Sequence, residues 1–317
     1  MFEKVTELIN KYDKIIIHRH ENPDGDALGA QTGLAFLIRE NFPSKTVFTV
    51  GDATKRYAFM DGAVMDEISD ETYSGALAVI LDSATAALVS DKRFSIAAAT
   101  ARVDHHIWCE TFTDVEIVDT SFESCAGMIA AMAKEAGWTI SKRSATAVYT
   151  GMVTDSGRFR YDSTSARTLS LASMLMEHDI DTSELYHNLY SEELSSVKRR
   201  ATFLSKITMY EDSPVAYMFN TREEVASLGM DTFAVSRGMV NVMSDIKGID
   251  IWVNFTESED GPVWCELRSS KYNINPVAVK YGGGGHKKAS GADVKDFNEA
   301  MMMLEDLKKL AEDGNEC

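Results

Sequence analysis

The sequence predicts an α/β fold in two parts, an N-terminal parallel-sheet domain and a smaller C-terminal α/β domain with a mixed sheet. Three observations carry this. The 317 residues exceed one typical domain and suit two, each able to bury its own core. Up to about residue 185, short apolar runs rich in β-formers alternate with helix-period stretches, the rhythm of a parallel sheet with crossover helices. After a charged stretch from Ser183 to Lys206 that lacks glycine and proline, that rhythm changes.

The elements follow in order. Lys14 to His18 reads as a strand, Asp26 to Arg39 as a helix, Lys45 to Val50 as a strand and Ala76 to Leu81 as a buried strand. Arg102 and Val103 end a further strand, Val115 to Val118 forms another, and Ser124 to Ala136 is a helix with Gly137 as its C-cap. Helices dominate from Lys142 to Lys206, broken at Thr154-Asp155-Ser156-Gly157. Beyond them, Val215 to Phe219, Asp250 to Phe255 and Val263 to Ser269 read as strands, and Phe297 to Ala311 as a closing helix. The expected domains are residues 1–185 and 207–317, joined by a helical linker at 186–206.

Net charge narrows the partners. At −17 the chain repels a phosphate backbone before specific contacts form, which argues against long duplex nucleic acid but not against a small anion in a locally positive pocket. Cys109, Cys125, Cys265 and Cys317 form no CxxC pair, so a disulfide framework and a cysteine zinc site are both poor fits. Met1-Phe2-Glu3-Lys4-Val5 is unlike a signal peptide, and no run of about 18 apolar residues occurs. A cytoplasmic protein without a membrane partner is expected.

Directly after Ile15-Ile16-Ile17 comes His18-Arg19-His20-Glu21-Asn22-Pro23-Asp24-Gly25-Asp26. Alone this is ordinary turn chemistry. In an open parallel sheet, however, ligands bind at the carboxyl ends of strands, and those ends hold nearly every suspicious residue. They supply His20, Asp24 and Asp26, then Asp82, then Asp104-His105-His106, and Asp155 at a helix end. Four converging carboxylates repel unless protonated or neutralised. Two divalent cations cancel the charge of Asp24, Asp26, Asp82 and Asp155, and His20 and His105 complete a mixed oxygen and nitrogen set suited to Mn²⁺. A phosphatase with a nucleophilic aspartate fits less well, because Asp24 stands several residues beyond the strand. His178 and His187 sit on helices without nearby acids and read as surface or packing residues.

The second feature is Tyr281-Gly282-Gly283-Gly284-Gly285-His286-Lys287-Lys288. A glycine run lets backbone N–H groups approach an anion, although neither a P-loop nor GxGxxG is present. From Arg268 to Lys288 there are five basic residues, Arg268, Lys271, Lys280, Lys287 and Lys288, and no acid. This predicts a local positive patch for a phosphate or carboxylate.

Together, His20-x-x-x-Asp24-x-Asp26, Asp82, Asp104-His105-His106, Asp155 and Gly282-Gly283-Gly284-Gly285-His286 resemble the DHH/DHHA1 phosphoesterase family, over nearly the whole chain and in the family's motif order. Within it the chain is most similar to stand-alone oligoribonucleases that also dephosphorylate 3′-phosphoadenosine-5′-phosphate (pAp). The resemblance implies a DHH catalytic domain and a DHHA1 substrate-binding domain. It implies two Mn²⁺ ions, with Mg²⁺ or another divalent ion as the alternative, His20 and Asp24 on one, Asp26, His105 and Asp155 on the other, and Asp82 bridging. Asp104 would orient a ligating imidazole, His106 would face the scissile phosphate, and hydroxide attack on phosphorus would need no covalent intermediate. Arg268, Ser269, Gly284, Gly285 and His286 would grip the far end of the substrate, with Arg158 as a further phosphate contact. The implied substrates are short RNA or DNA oligonucleotides and pAp. Hydrolysis of pApA or cyclic di-AMP is the alternative within the family, a family-II pyrophosphatase shares the N-terminal motifs only, and a non-catalytic nucleotide sensor is the reading from another class. Oligomeric state, a homodimer included, is left open.

Overall fold

The computed structural model describes residues 1–259 and 261–314, so Cys317 lies outside the described residues. The chain divides into two compact units, Met1–Ser191 and Glu192–Cys317.

The first unit begins with α1 (Glu3–Lys11), β1 (Lys14–His18), α2 (Gly25–Asn41) and β2 (Thr46–Thr49). Strands β3 (Leu77–Leu81), β4 (Ala99–Asp104) and β5 (Val115–Val118) follow, then α3 (Cys125–Ala136), α4 (Lys142–Asp155), α5 (Ala166–Met176) and α6 (Thr182–Tyr190). The five strands pair in the order β2-β1-β3-β4-β5, every neighbouring pair parallel. The central β3 is buried at all five positions, which is why its sequence is an unbroken apolar run rather than an alternation. Because β1, β3 and β4 are adjacent, the segments that follow them emerge side by side, about 4.8 Å apart per strand. Gly137 ends α3 in the left-handed conformation, as the sequence predicts.

Helices α2 and α4 pack backbone to backbone. A Cβ on Gly29 would stand 2.7 Å from the Ala147 carbonyl oxygen and 2.8 Å from the Gly151 nitrogen, and one on Gly25 would stand 2.5 Å from Thr154 Oγ1. Gly25, Gly29 and Gly33 repeat every four residues and share one helix face. Since Gly25 meets Thr154 and Gly33 meets Val148, the helices run antiparallel, and the start of α2 lies beside the end of α4. Gly29→Val therefore forces the helices apart. A loss of about 3 kcal/mol is expected, at the upper end for overpacking, read from urea unfolding followed by far-ultraviolet circular dichroism.

The second unit starts with α7 (Leu194–Leu204), β6 (Thr208–Met209), β7 (Val215–Asn220), α8 (Arg222–Ser227), α9 (Thr232–Met239), β8 (Ile251–Glu257) and β9 (Val263–Ser269). It continues through α10 (Asn275–Lys280), β10 (Gly284–His286), β11 (Ala289–Val294) and α11 (Phe297–Glu312). The sheet order is β10-β11-β9-β8-β7-β6, mixed because β7 and β8 are parallel and the other pairs antiparallel. One face packs on α11 through Ala300, Met303, Leu304 and Leu307, and the other on Phe203, Val225 and Val235.

The glycine run folds as part of a hairpin. Gly284 to His286 is a strand paired to Ala289, Ser290 and Gly291. Glycine has little intrinsic preference for strands, so only the partner strand reveals it. A side chain at Gly283 would collide with the Gly291 carbonyl oxygen, and Gly285 has φ of 132°. Those two glycines are needed for the hairpin itself, whereas a Cβ on Gly284 would meet nothing within 4 Å.

Candidate active site

The turn after β1 is fixed from beneath by Arg19, which is fully buried. Its guanidinium donates to the His20 carbonyl at 3.0 Å, to the Asp52 carbonyl at 2.6 Å and to Asp52 Oδ1 at 3.1 Å. Asp52 Oδ2 in turn accepts the Asn22 N–H at 3.0 Å. The turn ends where Asp24 caps α2, its Oδ1 accepting the N–H groups of Asp26 and Ala27 at 2.9 and 3.0 Å. Asp26 points across to the start of α3 and accepts from Cys125 at 2.7 Å and Ala126 at 2.8 Å. His18 is buried against Tyr73 and is a core residue.

Asp82 leaves β3 with φ of 51°, a strained conformation for a residue with a side chain, and is 2% exposed. His20 Nε2 lies 3.4 Å from its Oδ2. On the other side, His105 Nε2 is 3.5 Å and His106 Nδ1 3.4 Å from its Oδ1, an atom that is buried without a hydrogen-bond partner. His105 Nε2 is also 3.7 Å from Asp26 Oδ2 and 3.5 Å from Asp155 Oδ2. Asp155 is the last residue of α4, where the helix dipole disfavours a carboxylate, so folding alone does not call for it there.

Asp104 is fully buried between His106 and Arg102. Its Oδ1 holds His106 Nδ1 at 2.8 Å, and Arg102 Nη2 donates to its Oδ2 at 2.5 Å. Arg102, also fully buried, donates to the carbonyls of Ala84 and Glu110 as well. The arginine thus ties both ends of the histidine loop to the end of β3. Burial would raise the Asp104 pKa, but the hydrogen bonds from His106 and Arg102 hold it below the usual carboxylate range. Arg102→Ala strands this charge and is expected to cost about 3–5 kcal/mol near neutrality. A group with a depressed folded pKa stabilises above its unfolded value of about 3.9, so the deficit should narrow as pH falls below about 4 and Asp104 protonates. Denaturation midpoints of wild type and variant between pH 3 and 7 check both claims.

The unliganded cluster is held together by protons. Burial pushes Asp26 well up, reinforced by Asp82 and Asp155, and raises Asp155 to about 6 against the pull of His105. For His20 and His105 burial disfavours the proton, but the Asp82 carboxylate and its neighbours win, holding them at about 9 and about 10. For Asp82 burial is again opposed, here by His105 and His20, and its pKa falls.

Three ligand groups emerge: His20, Asp24 and Asp82; Asp26, His105 and Asp155; and Asp82, His105 and His106. Donor separations of 3.4–3.9 Å are too long for good hydrogen bonds. They are close to the roughly 3–3.5 Å between neighbouring ligands around an ion with bonds of about 2.1 Å. The unpartnered Asp82 oxygen is what such an ion satisfies, so the residues fit divalent metal.

The remaining expected residues divide between the units. Arg158 is exposed in the first unit, with its guanidinium 4.2 Å from the Tyr190 ring centre. Within the second unit, His286 pairs with Ala289 and Ala289 with Arg268, so His286 and Arg268 share one row and one sheet face, about 10 Å apart. Ser269 is occupied by its own turn, donating to the Asp250 carbonyl and accepting from Lys271 and Tyr272. The positive patch needs correction. Glu266, two residues before the basic stretch, accepts from Arg268 at 3.1 Å and from Arg237 at 2.9 Å, and Lys280 pairs with Asp306. These acids come from outside the acid-free window, where no local count finds them. Sequence reasoning also missed Arg19 and Arg102; an arginine inside or beside a strand that ends at candidate ligands was the available signal.

An open parallel sheet whose strand ends gather four carboxylates and three imidazoles, with a mixed-sheet unit after it, defines a metal-dependent phosphoester hydrolase. The chain belongs to the DHH/DHHA1 family. Residues 14–152 match the DHH family N-terminal domain and residues 225–313 the DHHA1 domain. It is 35% identical over 316 residues to the bifunctional oligoribonuclease and PAP phosphatase NrnA of Bacillus subtilis, covering 99% of both chains. The NrnA of Mycoplasma genitalium is 33% identical, with 96% of this chain and 97% of that one covered. Among solved structures, an exopolyphosphatase-related protein from Bacteroides fragilis superposes with a TM-score of 0.81 at 26% identity, covering 97% and 95%. Among the described residues no helix is long and apolar enough to cross a membrane.

Proposed function

We propose that the chain is a Mn²⁺-dependent phosphoesterase that removes the 3′-phosphate of pAp and cleaves short oligoribonucleotides from the 3′ end. The observation that carries this is Asp82, whose two oxygens reach different histidines, one in each of two ligand groups. In this reading His20 and Asp24 would hold one ion, Asp26, His105 and Asp155 the other, and Asp82 would serve both. The ions supply Lewis-acid charge that makes water a nucleophile and stabilises the phosphoryl oxygens. His106, half exposed, has its pKa raised by the Asp104 hydrogen bond and presents an N–H to the phosphoryl group. Water adds to phosphorus, the bond to the departing 3′ oxygen breaks, and that oxygen takes a proton, so pAp yields 5′-AMP and phosphate. Arg268 and His286, on one row, are the proposed grip on the far end of the substrate.

The test is to strip the protein of metal, restore Mn²⁺ or Mg²⁺, and compare initial rates on pAp, a dinucleotide, pApA, cyclic di-AMP and pyrophosphate. Preferred turnover of pAp and the dinucleotide with Mn²⁺ is expected. Preference for cyclic di-AMP or pyrophosphate overturns the substrate assignment, and tight binding of pAp without hydrolysis identifies a sensor.

A further inference from the structure

Beside Asp24, the first unit carries two arginines that the ligand groups do not use. Arg158 and the residue after it, Phe159, have φ of 63° and 61°, consecutive left-handed residues that each cost about 1–3 kcal/mol. This strained stretch leads the guanidinium of Arg158 onto the ring of Tyr190, 4.2 Å from its centre. Arg56 lies 5.3 Å from the ring centre of Tyr57. Tyr57 is buried against Met60 and against Leu28, one turn after Asp24 on α2. Leu189, the neighbour of Tyr190, packs against the same cluster of Leu28, Tyr57 and Met60, which places both tyrosines at one patch of the first unit.

Both arginines are exposed, and among the described residues neither pairs with a carboxylate. In a chain of net charge −17 that is a conspicuous use of cations. A guanidinium held by a ring rather than by a carboxylate keeps N–H groups free for phosphate oxygens. Neither pairs with Asp24, Asp26, Asp82 or Asp155, so the charge of both is left for a ligand.

We propose that Arg56 and Arg158, braced on Tyr57 and Tyr190, form a clamp for the phosphate next to the one being hydrolysed, such as the 5′-phosphate of pAp or of a 5′-phosphorylated dinucleotide. The clamp rests on the phosphoesterase reading above and adds a binding site to it. It places a positive edge on a strongly acidic site and draws a doubly phosphorylated substrate there.

The test compares pApA with ApA, which lacks the 5′-phosphate, using the full chain in Mn²⁺. Arg56→Gln should raise KM for pApA and pAp about tenfold, the loss of one charge-assisted contact, with kcat and the KM for ApA within about twofold of wild type. Arg56→Lys should fall between. An equal rise for ApA, a fall in kcat, or no change overturns the clamp. A second measurement needs no turnover: 5′-AMP should raise the melting temperature more than adenosine does in wild type, and the difference should vanish in Arg56→Gln. If wild type hydrolyses none of these substrates, the phosphoesterase reading fails, and the melting comparison still decides for or against the clamp.

Discussion

Asp82→Asn abolishes turnover of pAp and dinucleotides, by about a thousandfold or more, while the protein stays folded. The size follows from position. Asp82 is the residue whose oxygens face both His20 and His105, so one substitution weakens both proposed ion sites and removes the charge that counters them. Folding survives because asparagine tolerates the left-handed backbone at φ of 51° and fills the same space. Without metal, the variant should melt somewhat lower than wild type near neutral pH, since the carboxylate that keeps His20 and His105 protonated is removed, but it should still unfold cooperatively. Steady-state rates together with melting curves in chelator check the two halves separately. An unchanged rate sinks the bridging role of Asp82, and a collapsed fold means the residue is structural.

Metal affinity should depend steeply on pH. Without an ion, His20 and His105 keep their protons to about pH 9 and about pH 10, and Asp155 to about pH 6. Each ion must displace the proton of its own imidazole, His20 at one proposed site and His105 at the other, to use the ring nitrogen. The sign is therefore fixed: lowering pH weakens binding. With one imidazole proton expelled per ion, the affinity of each site should fall by at least about tenfold per pH unit between pH 8 and 6. Isothermal titration with Mn²⁺ in buffers of different ionisation enthalpy counts the protons directly. A pH-independent affinity, or no proton release, means that the imidazoles do not bind the ion.

Much of the first unit was legible in the sequence because its signals are local. A parallel sheet buried on both faces writes unbroken apolar runs such as Leu77 to Leu81, and the acids and histidines stand just beyond their ends. The second unit was harder. Strand β10 is mostly glycine and exists because β11 pairs with it, and in the basic stretch Arg268 pairs with Glu266 and Lys280 with Asp306. Buried Arg19 and Arg102 were missed for the same reason. Their partners, the Asp52 carboxylate and the carbonyls of Ala84 and Glu110, come together only in the folded chain.

The glycine contact between α2 and α4 has a consequence for how such a catalyst can change over generations. Asp26 rides at the start of one helix and Asp155 at the end of the other, and their separation is set by main chain touching main chain at Gly29 and Gly151. At Gly29 no side chain stands between the helices to be exchanged for a slightly larger or smaller one. Selection for a different substrate is left with the exposed rim, where Arg56 or Arg158 can be swapped singly, whereas selection for a different metal spacing must cross a valley of misfolded intermediates.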